Sequence, residues 1–199
     1  MDLYVVNGGN EYTNGDPRLR DRLYLNDGNG NFAAAPDGTL PDLRDSGSVV
    51  TAADMDRDGD LDLFIGGRMS PGQYPMAPNS RLLRNDNGKF TDVTDALAPT
   101  LRKTGMVTAA IWSDADGDGD PDLLVTHEWG PIKFFRNDNG VLVEKTKEAG
   151  LAHMLGWWNS IAARDLDGDG DLDYVATNLG LNTKYRATAK RPILLYYGD

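Results

Sequence analysis

One nine-residue pattern, written three times, limits what this chain can become. It reads Asp54-Met55-Asp56-Arg57-Asp58-Gly59-Asp60-Leu61-Asp62, then Asp114-Ala115-Asp116-Gly117-Asp118-Gly119-Asp120-Pro121-Asp122, then Asp165-Leu166-Asp167-Gly168-Asp169-Gly170-Asp171-Leu172-Asp173. Five carboxylates within nine residues repel one another unless a cation sits among them. Oxygens at alternate positions, with a glycine at the sixth for a sharp turn, suit a hard cation that takes roughly six to eight oxygen ligands. Calcium is the expected ion, at about three sites, one per copy.

The first six positions match the helix–loop–helix calcium loop, which needs a bidentate Glu at the twelfth. Here the twelfth residues are Ile65, Val125 and Ala176, each inside an apolar run. The ninth aspartate must therefore close the site. Positions one, three, five and nine are assigned as side-chain ligands: Asp54, Asp56, Asp58 and Asp62; Asp114, Asp116, Asp118 and Asp122; Asp165, Asp167, Asp169 and Asp173. At position seven, Asp60, Asp120 and Asp171 are assigned a backbone carbonyl each, with the carboxylate pointing outward. Magnesium fits less well, since it keeps its waters and a strict octahedron. Metal-free, solvated Asp-Gly turns are the plainer alternative, but turn preference alone does not repeat one register three times. The ion's expected role is structural: it turns local repulsion into a clamp between two strands.

Charge supports a local reading of the acidity. The formal net charge is −11, with 31 acidic residues against 20 Lys and Arg. The three loops hold 15 of the acids, so the remainder of the chain is mildly basic. There is no cysteine, and no apolar run approaches the roughly 18 residues that span a membrane. Residues 1–6 lack the basic region and cleavage site of a signal peptide.

The repeats extend beyond the acidic loops. Asp62, Asp122 and Asp173 each precede an apolar run, and Asp2-Leu3-Tyr4-Val5-Val6 fits the same register, at spacings of 60, 60 and 51. Downstream come Arg22-Leu23-Tyr24-Leu25-Asn26-Asp27-Gly28, Arg81-Leu82-Leu83-Arg84-Asn85-Asp86-Asn87-Gly88 and Lys133-Phe134-Phe135-Arg136-Asn137-Asp138-Asn139-Gly140. These are β-hairpins, because Asn and Gly tolerate the positive φ that tight turns require. Before each loop lies a stretch of small and β-branched residues, suited to a crowded strand. Each unit thus has four strands, and the fold class is all-β: a β-propeller of four-stranded antiparallel blades, present as about three and a half blades.

Strands are predicted at 48–53, 61–66, 81–85 and 89–94, and at 106–112, 121–126, 133–137 and 141–146. Flanking units supply 2–7, 22–26 and 31–34 on one side and 159–164, 172–177 and 193–197 on the other. Blade divisions fall at 1–47, 48–105, 106–158 and 159–199, with a single helical turn at 147–151. Rings use roughly 4 to 8 blades, so the remaining blades of a larger parent chain are expected as partners. The opening residues read as the end of a loop, and Asp199 as the first ligand of another.

The acidic loop before an apolar strand, followed by "RLYLNDGNGNF" or "RLLRNDNGKFTDVT", resembles the FG-GAP/VCBS repeats of integrin α-chain-like propellers. It is most similar to bacterial secreted proteins of the ASPIC/UnbV type. The resemblance covers nearly the whole chain. It implies a seven-bladed or similar propeller, an extracellular, cell-surface or periplasmic setting, calcium on the matched aspartates, and no catalytic residues. The Phe-Gly and Gly-Ala-Pro signatures of eukaryotic integrin repeats are not spelled out, so no integrin ligand specificity is carried over.

Nothing else in the sequence assembles a catalytic set. The histidines are His127 and His153, and His127-Glu128-Trp129-Gly130-Pro131 lacks the second His of a zinc-protease helix. His127 is expected to cap a strand or line a loop. No nucleotide-binding glycine loop opens a helix, and the basic stretch 184–191 lacks the aromatics of a nucleic-acid site. Recognition belongs on the connections at the blade ends away from the acidic loops, where the repeats diverge. Candidates there are Arg68, Tyr74, Trp129, Trp157, Trp158, Asn182, Tyr185 and Arg186; packing between blades is the alternative for Trp157, Trp158 and Trp112. The function expected is extracellular recognition or adhesion through a protein or glycan ligand. The alternative is part of a secreted polysaccharide lyase or hydrolase with its site on that face or on further blades.

Overall fold

A computed structural model describes residues 1–180, 183–188 and 190–197. Asn182 and Asp199 lie outside the described residues. Thirteen strands form four antiparallel sheets, a partial β-propeller. The first sheet has β1 (Leu3–Val5), β2 (Arg22–Asn26) and β3 (Phe32–Ala34). The second has β4 (Ser46–Ala53), β5 (Asp62–Met69), β6 (Arg81–Asp86) and β7 (Lys89–Asp92). The third has β8 (Val107–Ser113), β9 (Asp122–His127), β10 (Lys133–Asp138) and β11 (Val141–Glu144). The fourth pairs β12 (Trp158–Arg164) with β13 (Asp173–Asn178). Each sheet is an up-and-down meander in chain order.

Alternation along the middle strands explains the stacking of blades. In β5, Phe64 faces a cluster shared with the third blade, containing Val107, Leu123, Val125, Phe135 and Leu142. Its neighbours Leu63 and Ile65 face the other way, into a cluster with Leu43 and Leu83 that Tyr4 and Val6 of the first blade pack against. Leu82 and Leu83 of β6 split between the same two clusters. A strand buried on both faces reads as a continuous apolar run, which is why Leu63-Phe64-Ile65 carries no polar alternation.

Inner strands abut closely. Ser48 Oγ donates to Val107 O at 2.8 Å, and a Cβ at Gly66 would meet Val107 Cγ1 at 2.5 Å. Only glycine fits there. β5 therefore runs on through Gly66 and Gly67 to Met69, past the predicted end at 66. The hairpins at Asn87–Gly88 and Asn139–Gly140 take φ of 54° and 84°, and 54° and 85°, the paired positive values of a two-residue turn.

Two expectations are corrected. Residues 193–197 form no strand: Thr188 and Arg191 pair in an isolated bridge, and Leu194, Tyr196 and Tyr197 are exposed. The outer edge of β13, where a third strand of this blade would pair, carries no partner among the described residues. The helical turn at 147–151 is a hydrogen-bonded turn, with Ala149 N donating to Lys145 O at 2.9 Å, that leads into a 3₁₀ helix at Leu151–His153. Helical structure that the sequence did not announce is a 3₁₀ turn at Pro17–Leu19, and α1 (Thr94–Leu97) with the 3₁₀ turn Pro99–Leu101, which plug Ala98 and Leu101 into the core between blades. No helix among the described residues is long and apolar enough to cross a membrane.

Because Phe64 is fully buried between blades, Phe64→Ala should cost about 3–5 kcal/mol of unfolding free energy. Chemical denaturation checks this; a loss under about 1 kcal/mol would place Phe64 outside the load of the core.

Candidate metal centres

The three acidic loops fold by one hydrogen-bond scheme. The first aspartate accepts from the sixth-position glycine: Gly59 N to Asp54 Oδ2 at 3.1 Å, Gly119 N to Asp114 Oδ2 at 3.0 Å, Gly170 N to Asp165 Oδ2 at 3.2 Å. The fifth accepts from the seventh: Asp60 N to Asp58 Oδ1, Asp120 N to Asp118 Oδ1 and Asp171 N to Asp169 Oδ1, at 2.8–2.9 Å. The ninth reaches back to the second: Met55 N to Asp62 Oδ2, Ala115 N to Asp122 Oδ2 and Leu166 N to Asp173 Oδ2, at 2.9–3.0 Å. Positive φ at the fourth position permits this winding, as glycine in Gly117 and Gly168 (76° and 81°) and as Arg57 (61°).

Within each loop three carboxylates bring one oxygen apiece within 4.8 Å of one another: Asp54, Asp56 and Asp58; Asp114, Asp116 and Asp122; Asp165, Asp167 and Asp173. Two oxygens on one calcium lie at most about 5 Å apart, given bonds of roughly 2.3–2.6 Å. The spacing therefore fits that ion. A second observation concerns Asp54 Oδ1 and Asp56 Oδ1, which are buried with no hydrogen-bond donor. An anionic oxygen shielded from water and left without a partner is costly, and a cation facing it removes the cost. In the second loop Gly117 N serves the equivalent oxygen of Asp114 at 2.9 Å, and in the third Gly168 N serves Asp165 at 2.7 Å.

In the first two loops the ninth aspartate is the most enclosed, with Asp62 and Asp122 both at 0% exposure. Each grips two elements, because its other oxygen accepts from the first asparagine of the hairpin. Asn85 N donates to Asp62 Oδ1 and Asn137 N to Asp122 Oδ1, both at 2.8 Å; Asn26 N repeats the contact with Asp2 Oδ1 at 2.9 Å. Burial first, and the nearby carboxylates of Asp56 and Asp58, push the Asp62 carboxyl up to about 6, while the hydrogen bonds oppose the rise. Asp122 shifts the same way for the same reason.

The seventh-position carboxylates do not share the outward pose expected of them. Asp60 Oδ2 accepts from Asn87 N at 2.6 Å, and Asp120 Oδ1 pairs with Arg57 at 2.7 Å. Asp171 alone is exposed without such a partner among the described residues. The sequence reads Asn85 and Asn137 as turn formers and assigns Arg57 no role. Their recurrence one residue before the Asp-Asn-Gly turn is the signal that was available for the asparagines.

At the opposite end of the blades, four of the predicted recognition residues meet around one that was passed over. Glu128 is 3% exposed. Its carboxylate pairs with Arg68 and accepts from Tyr74 Oη at 2.7 Å; Tyr74 Oη in turn accepts from Trp129 Nε1 at 2.7 Å. Trp129 packs on Trp157 with ring centroids 5.2 Å apart. Arg68 and Tyr74 come from the second blade, Glu128 and Trp129 from the third, and Trp157 precedes β12 of the fourth. Trp158 instead donates to Met154 O at 3.1 Å, while Tyr185 and Arg186 are exposed in 183–188, Arg186 donating to Thr183 O at 3.2 Å.

His127 ends β9 and is buried, as expected of a strand cap. Its Nδ1 lies 3.1 Å from Pro131 O, which can only accept, so Nδ1 carries the proton and Nε2 accepts from Thr104 Oγ1 at 3.3 Å. Burial holds its pKa down at about 4. It is a neutral brace.

A family model described as an FG-GAP-like repeat matches residues 1–65, 76–125 and 114–176, together most of the chain and all three acidic loops. No curated protein matches the chain.

A carboxyl that holds its proton more tightly folded than unfolded adds stability at low pH and loses it as pH rises through its folded pKa. In chelator, wild type should therefore gain melting temperature relative to Asp62→Asn as pH falls from about 7.5 to about 5. The comparison cancels the opposing contribution of His127. A gap between the two proteins that stays flat with pH would contradict the raised Asp62 carboxyl.

Proposed function

Because the chain belongs to the FG-GAP-like repeat family, we propose that it is a calcium-stabilised propeller module for recognition or adhesion outside the cell, akin to integrin α-chain-like and ASPIC/UnbV-type repeats. The observation that carries the ion is the pair of buried, donorless oxygens on Asp54 and Asp56, set within a triad of calcium-sized spacing. Positions one, three, five and nine of each loop would hold it, with the carbonyls of Asp60, Asp120 and Asp171. The ion supplies no chemistry beyond charge neutralisation and bracing. Two of the three loops are largely solvent-exposed, which suits the weak affinities of roughly 10⁻⁴–10⁻³ M found in extracellular calcium modules.

Recognition of a protein or glycan is assigned to the face that carries Tyr74 and Trp129. Both rings are part-exposed, at 51% and 37%, on a scaffold fixed from beneath by Glu128 and Arg68. Aromatic rings held in place present contact area without the entropy cost of ordering it. Catalysis is a poorer fit for the same residues: the acid is ion-paired and the histidine is neutral with both nitrogens engaged.

At ten times its dissociation constant each ion adds about 1.4 kcal/mol, so three sites raise the melting temperature by roughly 10 °C in a chain of this length. Chelation should reverse that gain and magnesium should fail to restore it; a melt indifferent to excess chelator would sink the ion. For the recognition face, labelled protein is applied in calcium to an array of glycans and immobilised extracellular proteins. Signals should vanish with Trp129→Ala and survive Leu172→Ala, a change at the acidic end. Signals untouched by Trp129→Ala would move recognition elsewhere.

A further inference from the structure

The first two acidic loops are joined across the blade boundary through Asn137 and Arg57, neither of them an assigned metal ligand. Asn137, at the end of β10, is 0% exposed. Its amide nitrogen donates to Met55 O of the first loop at 2.8 Å and to Pro121 O of the second at 3.1 Å, while its Oδ1 accepts from Gly140 N at 2.7 Å. Every polar atom of that side chain is spoken for, so the amide has one orientation. Its equivalent in the second blade, Asn85, donates to Leu61 O of its own loop at 3.2 Å.

Three more contacts cross the same boundary. Arg57 reaches from the first loop to Asp120 of the second. Gly140 sits so close to Asp56 that a Cβ there would lie 3.1 Å from Asp56 Cβ. The Met55 side chain is buried in one cluster with Phe135 and Leu142 of the third blade. Met55 and Pro121 are each flanked in sequence by assigned ligands: Asp54 and Asp56, Asp120 and Asp122.

We propose that Asn137 and Arg57 couple these two loops, so that an ion held at 54–62 raises the affinity for an ion at 114–122, and the reverse. The inference rests on the calcium reading above. An ion fixes the backbone of its loop, and with it the carbonyl that Asn137 holds. The amide, ordered by one loop, presents its second N–H to the other, which then has less conformational freedom left to lose. Coupling of this kind is reciprocal by thermodynamic necessity. Arg57 adds a charge link that also offsets the buried Asp120 carboxylate. Asn137 and Arg57 are positioning residues: neither would touch the ion. The third loop is two blades from the first, and nothing lies within 4 Å of where a Cβ would sit at Gly168 or Gly170.

Amide resonances of Gly59, Gly119 and Gly170 report the three loops separately, since each donates to the first aspartate of its own loop. The isotope-labelled chain is titrated with calcium as wild type and as Asp56→Asn, which relieves repulsion and so preserves the fold. Asp56→Asn should move the Gly119 midpoint to roughly three-fold higher calcium or more, with Gly170 unchanged. Arg57→Gly, matching the glycine found there in the other loops, and Asn137→Ser should together abolish the dependence of Gly119 on Asp56. A Gly119 midpoint indifferent to Asp56→Asn, while all three resonances move in wild type, overturns the coupling and leaves the calcium reading intact. A dependence that persists in the Arg57→Gly, Asn137→Ser background overturns the assignment to these two residues. Resonances that ignore calcium in wild type remove the calcium reading and the coupling with it.

Discussion

The double grip of a buried aspartate is what the repeat depends on. Asp62 uses one oxygen to hold the second residue of its own acidic loop and the other to hold the backbone of Asn85 at the far end of β6. Asp122 does the same with Ala115 and Asn137. One carboxylate thereby ties the corner between the first two strands of a blade to the start of its hairpin. Both oxygens are satisfied by backbone donors that would otherwise be stranded away from water, each at a cost of about 1–3 kcal/mol. The loop cannot open without breaking the hairpin's register, and the hairpin cannot slip without freeing the loop. That mutual constraint fixes which way the remaining aspartates of the loop point.

The same nine-residue pattern then meets three different environments, and the neighbour makes the difference. The second loop position is fully buried in Met55, exposed in Ala115 and 62% exposed in Leu166. Met55 enters a core completed by the hairpin of the next blade. The second loop faces a following sheet of two strands, and among the described residues no sheet follows the third. Among the described residues, only the first loop buries carboxylate oxygens that have no donor. In repeat architectures a unit's stability lies largely in its contact with the next one, and here the same holds for the electrostatics of each acidic loop. One pattern in three copies meets three unequal environments.

Much of the fold could be read from spacing alone. The Asn-Gly turns and the apolar runs after each ninth aspartate place the strands to within a few residues, because pairing register and turn chemistry are local. Where reading failed, the cause was not local. Residues 193–197 carry a strand's composition, yet a strand forms only against an edge, and no residue in the stretch encodes one. β5 runs on through Gly66 and Gly67, where a Cβ would meet Val107 of the next blade and Asn79 O of its own. The site divides the same way. The aspartates are legible because their spacing is itself what marks the candidate centres. Asn137 is not, because Asn before an Asp-Asn-Gly turn already has a sufficient local explanation, and its bond to Met55 O spans 82 residues. Glu128 was hidden for the opposite reason: its partners Arg68 and Tyr74 lie on another blade.

The two ends of the blades are clamped by different chemistry, and that separation bears on how the module could serve recognition. At the acidic end, adjacent blades meet through carboxylates, an arginine and a buried amide, an arrangement whose cohesion would change with the proposed cation. At the other end they meet through Glu128, Arg68, Tyr74 and the Trp129–Trp157 pair, in which the negative charge is matched by a neighbouring positive one. That contact uses no group of the acidic loops. β5 and β9 run from one end to the other, carrying Asp62 and Asp122 at their starts and ending beside Tyr74 and Trp129. An ion would thus act on the aromatic face only through the rigidity of two strands buried on both sides. The connections on that face are free to differ from blade to blade because nothing in the acidic loops constrains them.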